Sequence, residues 1–305
     1  MSKKLVSLFL ALALMLACVP VLAEGGVTVT DMTGREITLD GPAAKIVALT
    51  ASDVEIIYAL GAGDLLVGRG EYCDYPAEVL EKPVVKSGAE TNLEEILALE
   101  PDVVIMATMA QTKEQVEALE QAGVKVIVSD AQNLEGVYTA ITLIGDVTGK
   151  TGEAAAIVQE MKDTFEEIKS KVQDSGKTVY FEVSPLEWGL WAAGKGTFMD
   201  ELATICGLTN AFADVDGWGA VSEEQVFEKD PDYIVTTAMY WNEGPTPVEE
   251  VKGRAGWDQL KAVQNDQVFN ADQNEITRPG PRLINAVVSL YEFVYGTEAE
   301  EAPAA

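Results

Sequence analysis

Two kinds of apolar pattern alternate along this chain. Short runs that are almost wholly apolar, KIVALT at 45–50 and TVYFEV at 178–183, have the length and β-branched content of buried strands, as do the stretches that follow Pro101-Asp102 and Pro231-Asp232. Between them lie segments with helical spacing. EIIYALGAGD (55–64) and ELATICGLTN (201–210) each run to a glycine, Gly61 and Gly207, placed to form left-handed C-caps. Residues 113–130 and 248–272 each read as a helix leading into a strand. Strands separated by helices of this length predict parallel sheets with helical cover.

The pattern also repeats. TNLEEILALEPDVVI at 91–105 returns as VSEEQVFEKDPDYIV at 221–235. In each copy a cap residue, Asn92 or Ser222, is followed three positions later by Glu95 or Gln225, the signature of a capping box. A short helix then stops at the Pro-Asp pair and turns into a strand. The expected fold is therefore α/β, with two Rossmann-like lobes. Between the two halves, residues 153–172 place Ala154, Ile157, Val158, Met161, Phe165, Ile168 and Val172 on one helical face. That length of helix spans about 30 Å and reads as one rigid connector between lobes. The predicted organisation is a signal peptide (1–23), an N-terminal lobe (24–148), a connecting helix (149–174), a C-terminal lobe (175–296) and an acidic disordered tail (297–305). Two lobes on one connector frame a cleft, the usual place for a small ligand.

The N-terminus carries Lys3 and Lys4, an apolar run from Leu5 to Ala17, and then small residues. This is an export signal, shorter than the roughly 20 apolar residues of a membrane span. Cleavage after Ala23 is the preferred reading and would release a soluble protein outside the cytoplasm. Met15-Leu16-Ala17-Cys18 resembles a degenerate lipobox, the competing reading, in which Cys18 carries a lipid anchor.

Composition narrows the chemistry. The net charge of −29 argues against nucleic acid and anionic lipid as partners. The absence of histidine removes the commonest transition-metal ligand and the usual neutral-pH general base. Cys73 and Cys206 sit in different halves and read as free thiols, with no metal-site spacing. The paired acids Glu94-Glu95, Glu223-Glu224 and Glu249-Glu250 lie at helix starts or on a surface-type helix. None forms the pocket that carboxylate catalysis needs, so no enzyme is expected.

RGEYCDYP (69–76), TNLEEILALEPDVVI, GWGAVSEEQV (217–226) and TRPGPRLINAVVSLYEFVYG (277–296), set around one long helix, resemble the helical-backbone substrate-binding proteins of ABC importers. That family takes up cobalamin, haem and ferric siderophores, and the resemblance runs from about Val27 to Gly296. It implies a permease dimer with its ATPase as partner, and no resident cofactor. It implies that Glu94 and Glu224 dock on arginines of the permease. Within the family the chain is most similar to cobalamin binders. EYCDYP resembles their SYSDYP-like segment, which makes Tyr72 a stacking candidate, and Trp191 and Trp218 fall where they place aromatics over a corrin edge. Gly88 and Ala107 depart from the pattern, standing where such binders carry tryptophan. Trp241, beside Tyr240, is a further cleft candidate. Arg278 is a candidate contact for a ligand carboxylate, phosphate or amide, or else a partner for one of the many acids.

The nearest alternative cargo is a ferric siderophore or haem. Anionic chelates need cationic pocket residues. Near the expected cleft the basic side chains are few: Arg69, Lys195 and Arg278. Haem iron could be held only by Tyr72, Cys73, Tyr75 or Tyr240.

Overall fold

The structure, a computed structural model, describes residues 26–108, 112–173 and 175–296. The signal segment with Cys18 and the tail 297–305 lie outside the described residues. The chain opens with an antiparallel hairpin, β1 (Val27–Thr30) and β2 (Glu36–Leu39), then builds a five-stranded sheet from β3 (Ile46–Ala48), β4 (Leu66–Gly70), β5 (Val84–Val85), β6 (Val103–Met106) and β7 (Lys125–Val128). Its order is β5-β4-β3-β6-β7 and every pairing is parallel. Helices α1 (Ala51–Ala59), α2 (Leu93–Ala98), α3 (Lys113–Gln121) and α4 (Leu134–Thr148) accompany it. β3 and β6 are buried throughout, as strands covered on both faces must be.

Helix α5 (Thr151–Lys171) leads to the second lobe. That lobe contains β8 (Thr178–Ser184), β9 (Trp191–Ala193), β10 (Thr209–Asn210), β11 (Trp218–Ala220), β12 (Tyr233–Thr236) and β13 (Val268–Asn270). Its helices are α6 (Phe198–Ile205), α7 (Glu223–Lys229), α8 (Pro247–Gly253), α9 (Lys261–Gln264), α10 (Gln273–Ile276) and α11 (Leu283–Tyr295). The sheet order is β11-β9-β8-β12-β13, with β10 also on β8. The β8, β12, β13 and β10 pairings are parallel, whereas β9 and β11 run antiparallel to their neighbours. The central strands are parallel, as expected, and β9 and β11 add an antiparallel edge. Only the short segment Pro185–Leu190 joins β8 to β9, too little chain for the crossover that a parallel neighbour requires.

The caps follow the repeat. Ser222 and Gln225 form a complete capping box. Asn92 accepts from the backbone of Glu94 and Glu95, but the Glu95 carboxylate takes the Lys86 N–H at 3.1 Å instead of closing the box. Gly61 and Gly207 both sit at positive φ, +68° and +66°, and a Cβ on Gly207 would lie 2.6 Å from the Gln173 carbonyl oxygen.

Helix α5 buries Ala154, Met161, Phe165 and Ile168. It is not a free-standing strut, however. One apolar cluster runs from Val29 and Ile37 in the hairpin through α4 and α5 to Phe198 and Leu290 in the second lobe. Direct bonds also cross between lobes: Phe198 N–H donates to the Gln132 carbonyl at 2.9 Å, and Leu134 N–H to Glu201 Oε2 at 2.6 Å. The lobes are thus packed against each other and bonded directly.

Candidate ligand cleft and docking face

The loops after parallel strands carry most of the exposed aromatics, as expected at the carboxyl ends of open α/β sheets. Tyr72 follows β4 and is 74% exposed, Trp188 follows β8 at 79%, and Trp241 follows β12 at 75%. Tyr75, Trp191, Met239 and Tyr240 are also exposed. A cavity of about 340 Å³ lies between the lobes, lined by Asp74 from the first and by Met239, Tyr240, Trp241, Asn270, Asp272, Gln273 and Asn274 from the second. Gln273 Oε1 is buried there with no hydrogen-bond partner.

The cations are engaged elsewhere. Arg278 donates from Nη1 to Glu55 Oε1 at 2.8 Å and to Asp74 Oδ1 at 2.7 Å. Arg282 donates from Nε to Glu55 Oε2 at 2.8 Å and from Nη2 to Oε1 at 2.7 Å, while its guanidinium lies 4.0 Å from the Tyr75 ring centre. Burial alone would push the Arg278 pKa down, but the bonds to Asp74 and Glu55 reverse this and raise it. Glu55, on α1, is buried, so the cluster ties the first lobe to the second. Arg278 therefore takes the acid-paired role rather than standing open at the cleft mouth. Arg69 is buried and donates to the Cys73 carbonyl at 2.8 Å. Lys195 lies off the cleft, in a separate groove with Lys169 and Asp200.

Two further expectations change. Trp218 is half-buried in the seam between lobes, its ring centre 5.3 Å from that of Phe198 and its Nε1–H donating to Gln132 Oε1 at 3.0 Å. Cys73 is sealed in the core, and burial pushes its thiol up to about 12, which removes it as an iron ligand. Cys206 is likewise buried and free.

Glu94 and Glu224 are both exposed in the first turn of α2 and α7. Bonding with the Ser222 side chain and the backbone holds the Glu224 carboxyl below its ordinary range. The neighbouring acids point otherwise: Glu223 Oε2 accepts the indole N–H of buried Trp257 at 2.7 Å. Among the described residues no group of three or more Cys, Asp or Glu could hold a metal, and no helix is long and apolar enough to cross a membrane.

Paired α/β lobes joined by a long helix, with an aromatic-rimmed cleft between them, define a solute-binding protein. Residues 46–275 match the family described as Periplasmic binding protein, and the chain belongs to it. It is 36% identical over 277 residues to an uncharacterized ABC transporter substrate-binding lipoprotein of Bacillus subtilis, covering 88% of this chain and 85% of that one. It is 29% identical over 255 residues to the vitamin B12-binding protein of Vibrio cholerae, covering 83% and 90%. Among solved structures, a possible iron-binding periplasmic protein of Staphylococcus epidermidis superposes with a TM-score of 0.71 at 30% identity, covering 83% of this chain and 99% of that one. The protein is an exported, non-enzymatic substrate-binding component of an ABC transporter, handing a small molecule to a membrane permease.

Sequence reading missed Trp188, Glu55, Arg282, Gln132 and Gln273. Trp188 had a signal, since it sits in a turn before Gly189 (φ +90°) rather than in a periodic run. Glu55 had one too, as an acid set, like Asp53, beside the apolar Val54, Ile56 and Ile57. The others carry no local mark.

Proposed function

We propose that the protein captures a corrinoid in the interlobe cleft and presents it to the permease through Glu94 and Glu224. One observation carries the cargo reading: Arg69 and Arg278 are already paired or buried and Lys195 lies off the cleft, which leaves aromatic walls and polar side chains such as Asp272 and Asn274. A macrocycle edged with neutral carboxamides offers N–H donors to those side chains and flat faces to Tyr72, Trp188 and Trp241. Haem propionates or an anionic siderophore would meet the Asp272 carboxylate, while Arg278 is already engaged by Glu55 and Asp74. The relative in Vibrio cholerae, named as a vitamin B12-binding protein, supports the same reading. A neutral or cationic ferric chelate is the second reading, favoured by the similarity to the Staphylococcus epidermidis protein.

Calorimetric titration with cobalamin, cobinamide, haem and a ferric hydroxamate tests the assignment. A corrinoid should bind most tightly and quench tryptophan emission. Tighter binding of haem or of the hydroxamate would overturn it.

A further inference from the structure

Outside the cleft rim, the large apolar side chains left exposed among the described residues are Leu80, Val84, Leu97, Phe227 and Tyr295. Tyr295 is accounted for by its hydroxyl, which donates to the Cys206 carbonyl, and by its ring contact with Tyr291. Leu97 and Phe227 stand apart because they occupy the same position in the two copies of the repeat. Each lies three residues after an exposed glutamate, Glu94 or Glu224, and so on the same face of its helix. Their exposures are nearly equal, 37% and 36%, and the buried residue between acid and apolar side chain is Ile96 in one copy and Val226 in the other. The Phe227 ring is supported from behind by Trp257, edge-on at 6.3 Å, whose indole N–H is fixed by Glu223.

An exposed apolar side chain on a strongly acidic protein costs solubility, and packing on Trp257 still leaves 36% of Phe227 uncovered. Finding it twice, at matched sites in two lobes, fits a partner that is itself built from two equivalent halves. We propose that Leu97 and Phe227 are a second pair of contacts on the permease dimer, each seating in an apolar depression beside a basic residue that meets Glu94 or Glu224. This rests on the reading of those two glutamates as permease contacts. It assigns the charges to steering and orientation, and the apolar pair to holding the docked complex.

The test measures binding of the full mature chain, without cargo, to its permease in lipid nanodiscs. At about 0.1 M salt Leu97→Ser/Phe227→Ser should weaken docking by about tenfold or more, while Leu97→Met/Phe227→Leu stays within about twofold of the unaltered protein. At about 0.5 M salt, where surface charge is screened, Glu94→Gln/Glu224→Gln should approach the unaltered protein and the serine pair should not. Circular dichroism and thermal melting of both apolar pairs establish folding; if the serine pair unfolds, Leu97→Gln/Phe227→Gln, which keeps helix-favouring side chains but removes the apolar surface, is read in its place with the same tenfold expectation. If the serine pair docks normally while the glutamine pair does not, the apolar contact is wrong and the acidic docking face stands. If both pairs dock normally at low salt, the docking face itself is wrong.

Discussion

Helices α2 and α7 match in exposed glutamate and exposed apolar side chain, yet the cleft loops of their two lobes differ. The first lobe offers Tyr72 and Tyr75. The second offers Trp188, Trp191, Tyr240 and Trp241. Repeated surfaces stay alike where they meet something with two equivalent halves. They diverge where they share one ligand that has no such symmetry. On the proposed function the outer face of the repeat and the inner rim answer to different partners, and they should respond to mutation independently.

The sharpest separation comes from Glu94→Ala/Glu224→Ala. Uptake into vesicles carrying the permease should be abolished while calorimetric affinity for cobalamin or cobinamide stays unchanged; normal uptake would dissolve the distinction between the two faces.

Next in size is the bond between lobes. Glu55→Gln leaves Arg278 and Arg282 largely buried without their shared carboxylate, and denaturant unfolding should show a loss of about 3–5 kcal/mol. A change below about 1 kcal/mol would mean that the apolar core alone holds the lobes.

On the inner rim, Trp188→Ala and Trp241→Ala should each weaken corrinoid binding by roughly 1–3 kcal/mol, as truncation of an aromatic anchor does. Trp218→Phe should instead lower the melting temperature by breaking the Gln132 bond, with little effect on affinity. Reversal of those two results would return Trp218 to the cleft wall.

The smallest effect concerns Asp53, buried at the start of α1. Burial pushes its carboxyl up to about 6, with nearby Asp130 adding to the rise and the Thr50 hydroxyl opposing it. The folded state then binds the extra proton between about pH 4 and 6, so stability improves as pH falls through that window and the cost of the buried charge is full above it. Asp53→Asn removes the cost. It should stabilise the protein at pH 7.5 by about 1–2 kcal/mol, below the ~3 kcal/mol that two full pKa units would carry, and the gain should shrink by pH 5. Equal gains at both values would show that Asp53 does not titrate there.

Much of the architecture is legible in the amino-acid order because its signals are local. Caps at Asn92 and Ser222, stops at Pro101 and Pro231, and the glycines Gly61 and Gly207 each act within one turn of chain. The periodic face of α5 needs only a helical wheel. The roles of Trp218 and Arg278 are not legible in this way. Whether an indole lines a cleft or fills a seam depends on Gln132 and Phe198, far away in the chain. Whether an arginine is free depends on Glu55, which lies 223 positions earlier.

Residue order alone decided that this chain makes two related α/β halves on one long helix, with matched acids at corresponding helix starts, because propensity, capping and apolar period act between near neighbours. Only the packed structure decided that the connector lays one face on a shared core, that β9 and β11 run antiparallel, and that the cleft's arginines are consumed by Glu55 and Asp74. Those outcomes depend on which distant side chains exclude water from one another, a quantity no local pattern encodes.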